Sequence, residues 1–242
     1  MKSRIGTGPV QIAGILLLAA LLLPFQAGAQ KKIYTRSYML QDFKSKTTKV
    51  VLGGDARLNA TLRRDVTSFW ILSPYEFCSA AEYEKQKNSP DCYFLFPETS
   101  KGIVFLTLAR GGKEDDPNAF KRPLTVGSIP VCGENDDTGS VNVYMPAYLT
   151  MIQDFVEVAL DSEMKAYRGL SALAKHAPLA KHAPRGTKVH TDPEEAAEAF
   201  RNMEPNGAVS IFITPDGNPA SKPHYKLVFG TDGYELYFYG KR

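Results

Sequence analysis

Chemistry-bearing residues are scarce in this chain. Three cysteines, four histidines and one tryptophan are spread over 242 residues. There is no Cys-x-x-Cys pair, which disfavours disulfide exchange of the thioredoxin kind. No Gly-x-Ser-x-Gly elbow and no phosphate loop occurs, so the usual marks of serine hydrolases and phosphate-loop enzymes are missing. Gly53-Gly54 stands between an apolar run and a helix signal. It lacks the third glycine of a dinucleotide loop, and Asp55 puts a carboxylate where a pyrophosphate would sit. Charge of one sign is also scarce. The net charge is +3, and no block of Lys or Arg is interleaved with aromatics, which argues against nucleic acid as a partner.

One apolar stretch is concentrated enough to carry a message. Lys2 and Arg4 precede an uncharged run over residues 10–25, which ends in Ala27-Gly-Ala29. A positive start, an apolar middle and a small-x-small close read as a secretory leader cleaved after Ala29. The run is short for a membrane span, which takes about 20 residues. Cleavage removes Lys2 and Arg4, lowers the net charge to +1 and leaves no membrane span. The expected location is the periplasm or the cell exterior. About 210 residues then remain, enough for one large domain or two small ones.

The remainder punctuates itself. Residues 49–53 read as a strand closed by Gly53-Gly54. Asp55 then caps a helix whose Leu58, Leu62, Val66 and Phe69 share a face, with Arg57, Arg63 and Arg64 turned to water. Residues 70–72 read as a second strand, stopped by Ser73-Pro74. Ser79 and Glu82 form a capping box for a short helix ended by Pro90. Residues 92–96 are a continuous apolar run, as in a strand covered on both sides. That makes two strand–helix–strand crossovers, the signature of an α/β layer.

On either side the signals vary in strength. Residues 33–40 alternate as a first edge strand. Residues 102–109 are the strongest strand, residues 113–118 a polar loop, and residues 123–132 an irregular or edge strand broken by Gly127 and Pro130. Residues 133–140 are turn-rich. Pro146 suits the first turn of a long helix. Its apolar stripe runs from Leu149 to Met164, with Gln153, Asp154, Glu157 and Asp161 opposite.

The six residues LAKHAP then occur twice in tandem, over 173–178 and 179–184, and read as a linker. Asp192, Pro193 and Glu195 open a last helix with Ala196, Phe200 and Met203 on its apolar side. Three strands follow, the last two joined by a tight hairpin at Thr231-Asp-Gly233. Tyr225, Leu227 and Phe229 alternate onto one face, matched by Tyr234, Leu236 and Phe238. Tyr237 and Tyr239 fall on the other.

The fold class expected is therefore α/β with an α+β tendency. It comprises a mixed sheet with two crossovers, one long packing helix and a C-terminal antiparallel three-strand meander. The organisation expected is a leader over 1–29, an α/β domain over 30–167, a linker or loop over 168–190, and a docked helix-plus-meander over 191–242.

Each candidate for chemistry has a plainer alternative. Cys78, Cys92 and Cys132 would sit in an oxidising compartment, where disulfides form. Cys78 and Cys92 fall at opposite ends of parallel neighbours, too far apart for a bridge. Cys132 is free to pair with either, and three small buried side chains is the simpler account. A nucleophilic Cys needs a nearby His, yet His176 and His182 lie in the linker. His176, His182 and His190 are spaced by six and eight, which matches no metal motif. The acidic loops around residues 114–116 and 134–137 lack the spacing of an EF-hand. A pair of carboxylates for glycoside hydrolysis is spatial and leaves no trace in sequence. No catalytic residue, metal ligand or cofactor site is assigned. Aromatic residues remain. Trp70, Tyr75 and Phe77 around Ser73-Pro74, together with Tyr237 and Tyr239, are the candidate contact residues if their faces are open.

The words Trp70-x-x-Ser-Pro-Tyr-Glu-Phe77, Tyr93-Phe-Leu95 and Leu106-Thr-Leu108 resemble uncharacterised exported proteins of Gram-negative, Bacteroidetes-type bacteria. That resemblance implies export and carries over no functional residue. A looser similarity, at the level of fold only, is to periplasmic α/β assembly factors that feed outer-membrane machinery. The expected function is a non-catalytic periplasmic or cell-surface binding module, whose partner is an envelope protein or a glycan. A hydrolase with an unrecognised acid pair is the second expectation. A structural accessory subunit of an envelope complex is the third.

Overall fold

β1 (Thr47–Leu52) shows how the sheet acquires two covered faces. Val50 joins one buried cluster and Val51 another, because successive side chains of a strand point to opposite sides. The same split separates Tyr93 and Leu95 from Phe94 in β3 (Cys92–Ser100). The structure is a computed structural model and describes residues 40–112, 124–136, 139–161, 183–218 and 220–241. All of them lie in one compact unit. The leader, the loop at 113–118 and residues 162–182, with His176, His182 and all but the last two residues of the tandem LAKHAP words, lie outside the described residues.

From β1 the chain passes through α1 (Ala56–Phe69) to β2 (Tyr75–Ser79), then through α2 (Ala80–Gln86) to β3. β2 and β3 lie on either side of β1, both parallel to it. Crossovers of one hand that step in opposite directions place their helices on opposite faces. The packing agrees: Leu58, Leu62 and Val66 of α1 belong to the first cluster, whereas Tyr83 of α2 packs against Phe94 in the second. Asp55 caps α1 through the N–H groups of Arg57 and Leu58, and Ser79 with Glu82 forms the capping box of α2.

β3 turns into β4 (Ile103–Arg110) through Lys101-Gly102. Both residues have positive φ, 54° and 74°, as a two-residue I′ hairpin requires. β5 (Leu124–Gly133) completes the order β2-β1-β3-β4-β5. It is an edge strand with two register shifts, in keeping with its glycine and proline.

α3 (Ser140–Asp161) is the core of the molecule. It starts six residues earlier than Pro146 suggested, so that proline stands inside the helix. A proline there deprives the carbonyl four residues back of its N–H partner. That carbonyl belongs to Asn142, and Arg64 of α1 donates to it at 2.8 Å. Arg64 also grips the buried carboxylate of Asp65 at 2.6 and 2.7 Å, so it is not simply turned to water.

Gln153 also departs from the expected pattern. It is buried, and its carboxamide oxygen accepts from the N–H groups of Ile71 and Leu72 at 2.8 and 3.0 Å. Its amide donates to Phe69 O at 2.9 Å. This clamp explains why residues 70–72 are not a strand. Trp70 closes α1 by donating to Val66 O, the next two N–H groups go to Gln153, and the ladder begins only after Pro74, whose carbonyl accepts from Thr48 N.

The second sheet has the order β6-β7-β8-β9. β6 (Lys188–His190) lies inside the segment expected to be linker. It pairs parallel with β7 (Gly207–Ile213) across α4 (Pro193–Arg201), whose cap is Asp192. Met203 has left the helix and is half-exposed. β8 (Tyr225–Gly230) and β9 (Leu236–Lys241) complete an antiparallel meander. Their connection is longer than a tight hairpin: Gly230 N–H donates to Glu235 O across residues 231–234.

The two sheets share α3. Tyr148 donates to Val131 O of the first at 3.3 Å and meets the ring of Phe229 in the second. Phe105 and Tyr225 stack edge to face at 5.6 Å. A Cβ on Gly133 would lie 2.1 Å from Thr214 O, so only glycine lets β5 and β7 meet.

Residues 41–46 form helical turns, and the edge strand expected over 33–40 lies, but for Leu40, outside the described residues. Phe43 is buried edge-on against Tyr93. Asp42 accepts from Tyr93 Oη at 2.8 Å, Arg110 at 2.9 Å and Lys46 at 3.1 Å. Burial pushes the Asp42 carboxyl up, but the hydrogen bonds from Tyr93 and Lys46 and the charge of Arg110 outweigh it. The net result is below the ordinary carboxylate value.

Two outcomes follow from these clamps. Gln153→Leu leaves three backbone groups without their partner and should lower stability by about 2 to 4 kcal/mol in urea unfolding. An unchanged midpoint would contradict the clamp. A carboxyl whose folded pKa is depressed contributes stability above its unfolded pKa and loses it as pH falls through the folded one. Asp42→Asn should therefore flatten the stability–pH curve below about pH 4 relative to the parent. Parallel curves would show that Asp42 is not a linked group.

Candidate functional site

The register of the second sheet decides which side chains reach solvent. Val209, Ile213, Tyr225, Leu227 and Phe229 point inward, where Phe200 of α4 and Tyr144 and Tyr148 of α3 pack on Phe229. Their neighbours Ala208, Ser210 and Phe212 on β7, and Lys226, Val228 and Gly230 on β8, therefore form the outer face. Val189 joins them opposite Ala208.

β9 reaches this face through a bulge. Phe229 pairs with Leu236 but Val228 pairs with Phe238, so Tyr237 is an extra residue. An inserted residue exchanges the faces of everything beyond it. Phe238 consequently points outward and Tyr239 inward, the reverse of the simple alternation. Tyr239 is buried beside Tyr225, and burial raises its phenol above the ordinary value. Tyr237 is half-buried, with its hydroxyl 3.1 Å from where a Cβ on Gly230 would stand.

The centre of the outer face is a cation between aromatic rings. Lys226 Nζ lies 5.5 Å from the ring centroid of Phe212 and 6.0 Å from that of Phe238. Phe212 is 46% exposed and Phe238 47%. Among the described residues Lys226 makes no ion pair. His224 meets Phe212 edge to face at 6.1 Å. Three polar atoms of this face and its border, Ser210 Oγ, Thr214 Oγ1 and His224 Nδ1, are buried without a hydrogen-bond partner.

The other candidate aromatics occupy different surroundings. Trp70 is 3% exposed, donates its indole N–H to Ser73 Oγ at 3.1 Å and meets the ring of Phe43. It is core, not surface. Tyr75 and Phe77 are half-buried on edge strand β2, edge to face at 5.7 Å, with Arg63 5.0 Å above the Phe77 ring. Phe212, Lys226 and Phe238 escaped the sequence reading. Phe212 sits in a run that is apolar on both sides, and a bulge has no signature in residue type.

The three thiols are held in unreactive states. Cys78, Cys92 and Cys132 are free, and β1 stands between Cys78 and Cys92. Burial raises all three thiols, that of Cys132 to about 12, which suppresses the thiolate a nucleophile needs. Among the described residues neither His190 nor His224 hydrogen-bonds a Cys or Ser. His190 is buried with Nε2 2.9 Å from Glu204 Oε2, and Lys188 lies 3.8 Å from the same carboxylate. Among the described residues no three His, Cys, Asp or Glu side chains come together to hold a metal. The cleft between Gly127, Met151, Phe155 and Leu236 offers about 20 Å³, room for one water. No helix among the described residues is long and apolar enough to cross a membrane.

Comparison with family models, with curated proteins and with solved structures finds no match.

The outer face should be separable from the core by mutation. Phe212→Ala and Phe238→Ala should each cost less than about 1 kcal/mol in urea unfolding, whereas Phe229→Ala should cost about 3 to 5 kcal/mol. Equal costs at all three would mean that the outer face is packed as core.

Proposed function

We propose that this protein is an exported, non-catalytic interaction module, and that the outer face of its second sheet is the surface it presents to a partner. The observation that carries the proposal is the Phe212–Lys226–Phe238 group, half-exposed on a sheet whose other face is anchored in the core. Exposed aromatics on a rigid element lose little entropy when covered, so they are economical contact residues. The raised thiols count against a cysteine nucleophile. Export is supported by the leader pattern over residues 1–29 and by the resemblance to exported proteins of Gram-negative bacteria. The partner would then be met in the periplasm or at the cell surface.

Expression of the full chain in a Gram-negative host, followed by fractionation and N-terminal sequencing, tests export. A periplasmic or secreted form beginning at Gln30 is expected, and a cytoplasmic form retaining Met1 would overturn it. Photo-crosslinking residues placed at 212, 238 and, as a control, the half-exposed 203 test the face in the native envelope. Adducts should form from 212 and 238 and not from 203. Adducts of equal yield from all three would count against a dedicated face.

A further inference from the structure

Resting on the contact face proposed above, we infer that its occupant is an acidic peptide segment, one that sets a carboxylate between apolar side chains. Among the described residues the ammonium of Lys226 makes no ion pair and sits near two rings, Phe212 on one side and Phe238 on the other. A cation over a ring in contact with water is held only weakly. A carboxylate at contact distance interacts more strongly once a partner excludes solvent. An incoming Asp or Glu is therefore able to draw Lys226 off the rings. That movement bares both ring faces for apolar neighbours of the acid. The outer-face register around Lys226 carries no carboxylate: Ser210 and Phe212 stand on β7, Val228 on β8, Phe238 and Gly240 on β9, and the carboxylate of Glu235 meets this face only at its far end, beside Gly230. The charge left uncompensated at its centre is thus positive.

A neutral glycan fits less well. It brings no negative charge to meet Lys226.

The test is selection of random peptides displayed on phage against three immobilised full-chain proteins: the parent, Lys226→Glu and the double variant Phe212→Ala, Phe238→Ala. Circular dichroism confirms that each is folded. A neutral-glycan array is probed in parallel. The parent should enrich peptides with Asp or Glu flanked by apolar residues, and Lys226→Glu should enrich Lys or Arg in their place. The double variant should lose the parent's peptides by about tenfold in affinity, equivalent to 1.4 kcal/mol. Peptides that need the two phenylalanines but show no acidic bias on the parent would overturn the acidic occupant and leave the contact face standing. Glycan binding abolished by the double variant, without peptide enrichment, would do the same. Selection indifferent to all three substitutions, or no selection at all, would overturn both the occupant and the face.

Discussion

Everything in this fold leans on the burial of one helix. α3 hides Met145, Leu149, Phe155 and Val156 almost completely. Each such side chain contributes about 1.5 to 3 kcal/mol on burial, which together exceeds the roughly 3 kcal/mol that an internal proline costs a helix. Pro146 is therefore tolerated, and the carbonyl it orphans is taken by Arg64. The same helix holds the loop after α1 through Gln153, reaches Val131 in the first sheet through Tyr148, and meets Phe229 in the second through Tyr144 and Tyr148. A helix apolar nearly all round belongs at a centre. Its neighbours have to arrange their apolar faces around it.

That demand shapes what is left for solvent. The inner face of the second sheet faces α3 and α4, and β5 is bent by register shifts at the edge of the first. The bulge in β9 then turns Tyr239 toward the core and Phe238 away from it. One inserted residue thus supplies both a core ring and a surface ring. Lys226 stands between that surface ring and Phe212 because β8 is the middle strand of the meander. The outer face is a by-product of how the core is satisfied.

Much of the architecture was legible in the residues. Caps named their helices: Asp55, Ser79 with Glu82, and Asp192 before Pro193 each start a helix where the side chain can accept a backbone N–H. Apolar runs named β3 and β4. What stayed hidden depended on distant partners. Pro146 marks a helix start only when no arginine waits for the freed carbonyl. Gln153 reads as solvent-facing until the loop at residues 70–72 supplies its partners. Residues 188–190 have no strand signal of their own and become β6 because β7 offers an edge. Tyr239 was expected on an open face, yet the bulge turns it to the core beside Tyr225, and alternation cannot register a bulge. Trp70 drew attention as an aromatic beside a turn, yet its N–H is answered by Ser73 and its ring by Phe43.

The central claim is that α3 makes the two sheets a single cooperative structure. Native-state hydrogen exchange under increasing denaturant tests it most directly, because it separates segments that open alone from those that open with the whole. The account predicts that amides of β3, β4, α3, β7 and β8 converge on one opening free energy with one denaturant dependence. Release of β7 and β8 in a separate, lower-energy opening, with α3 and the first sheet still protected, would contradict it.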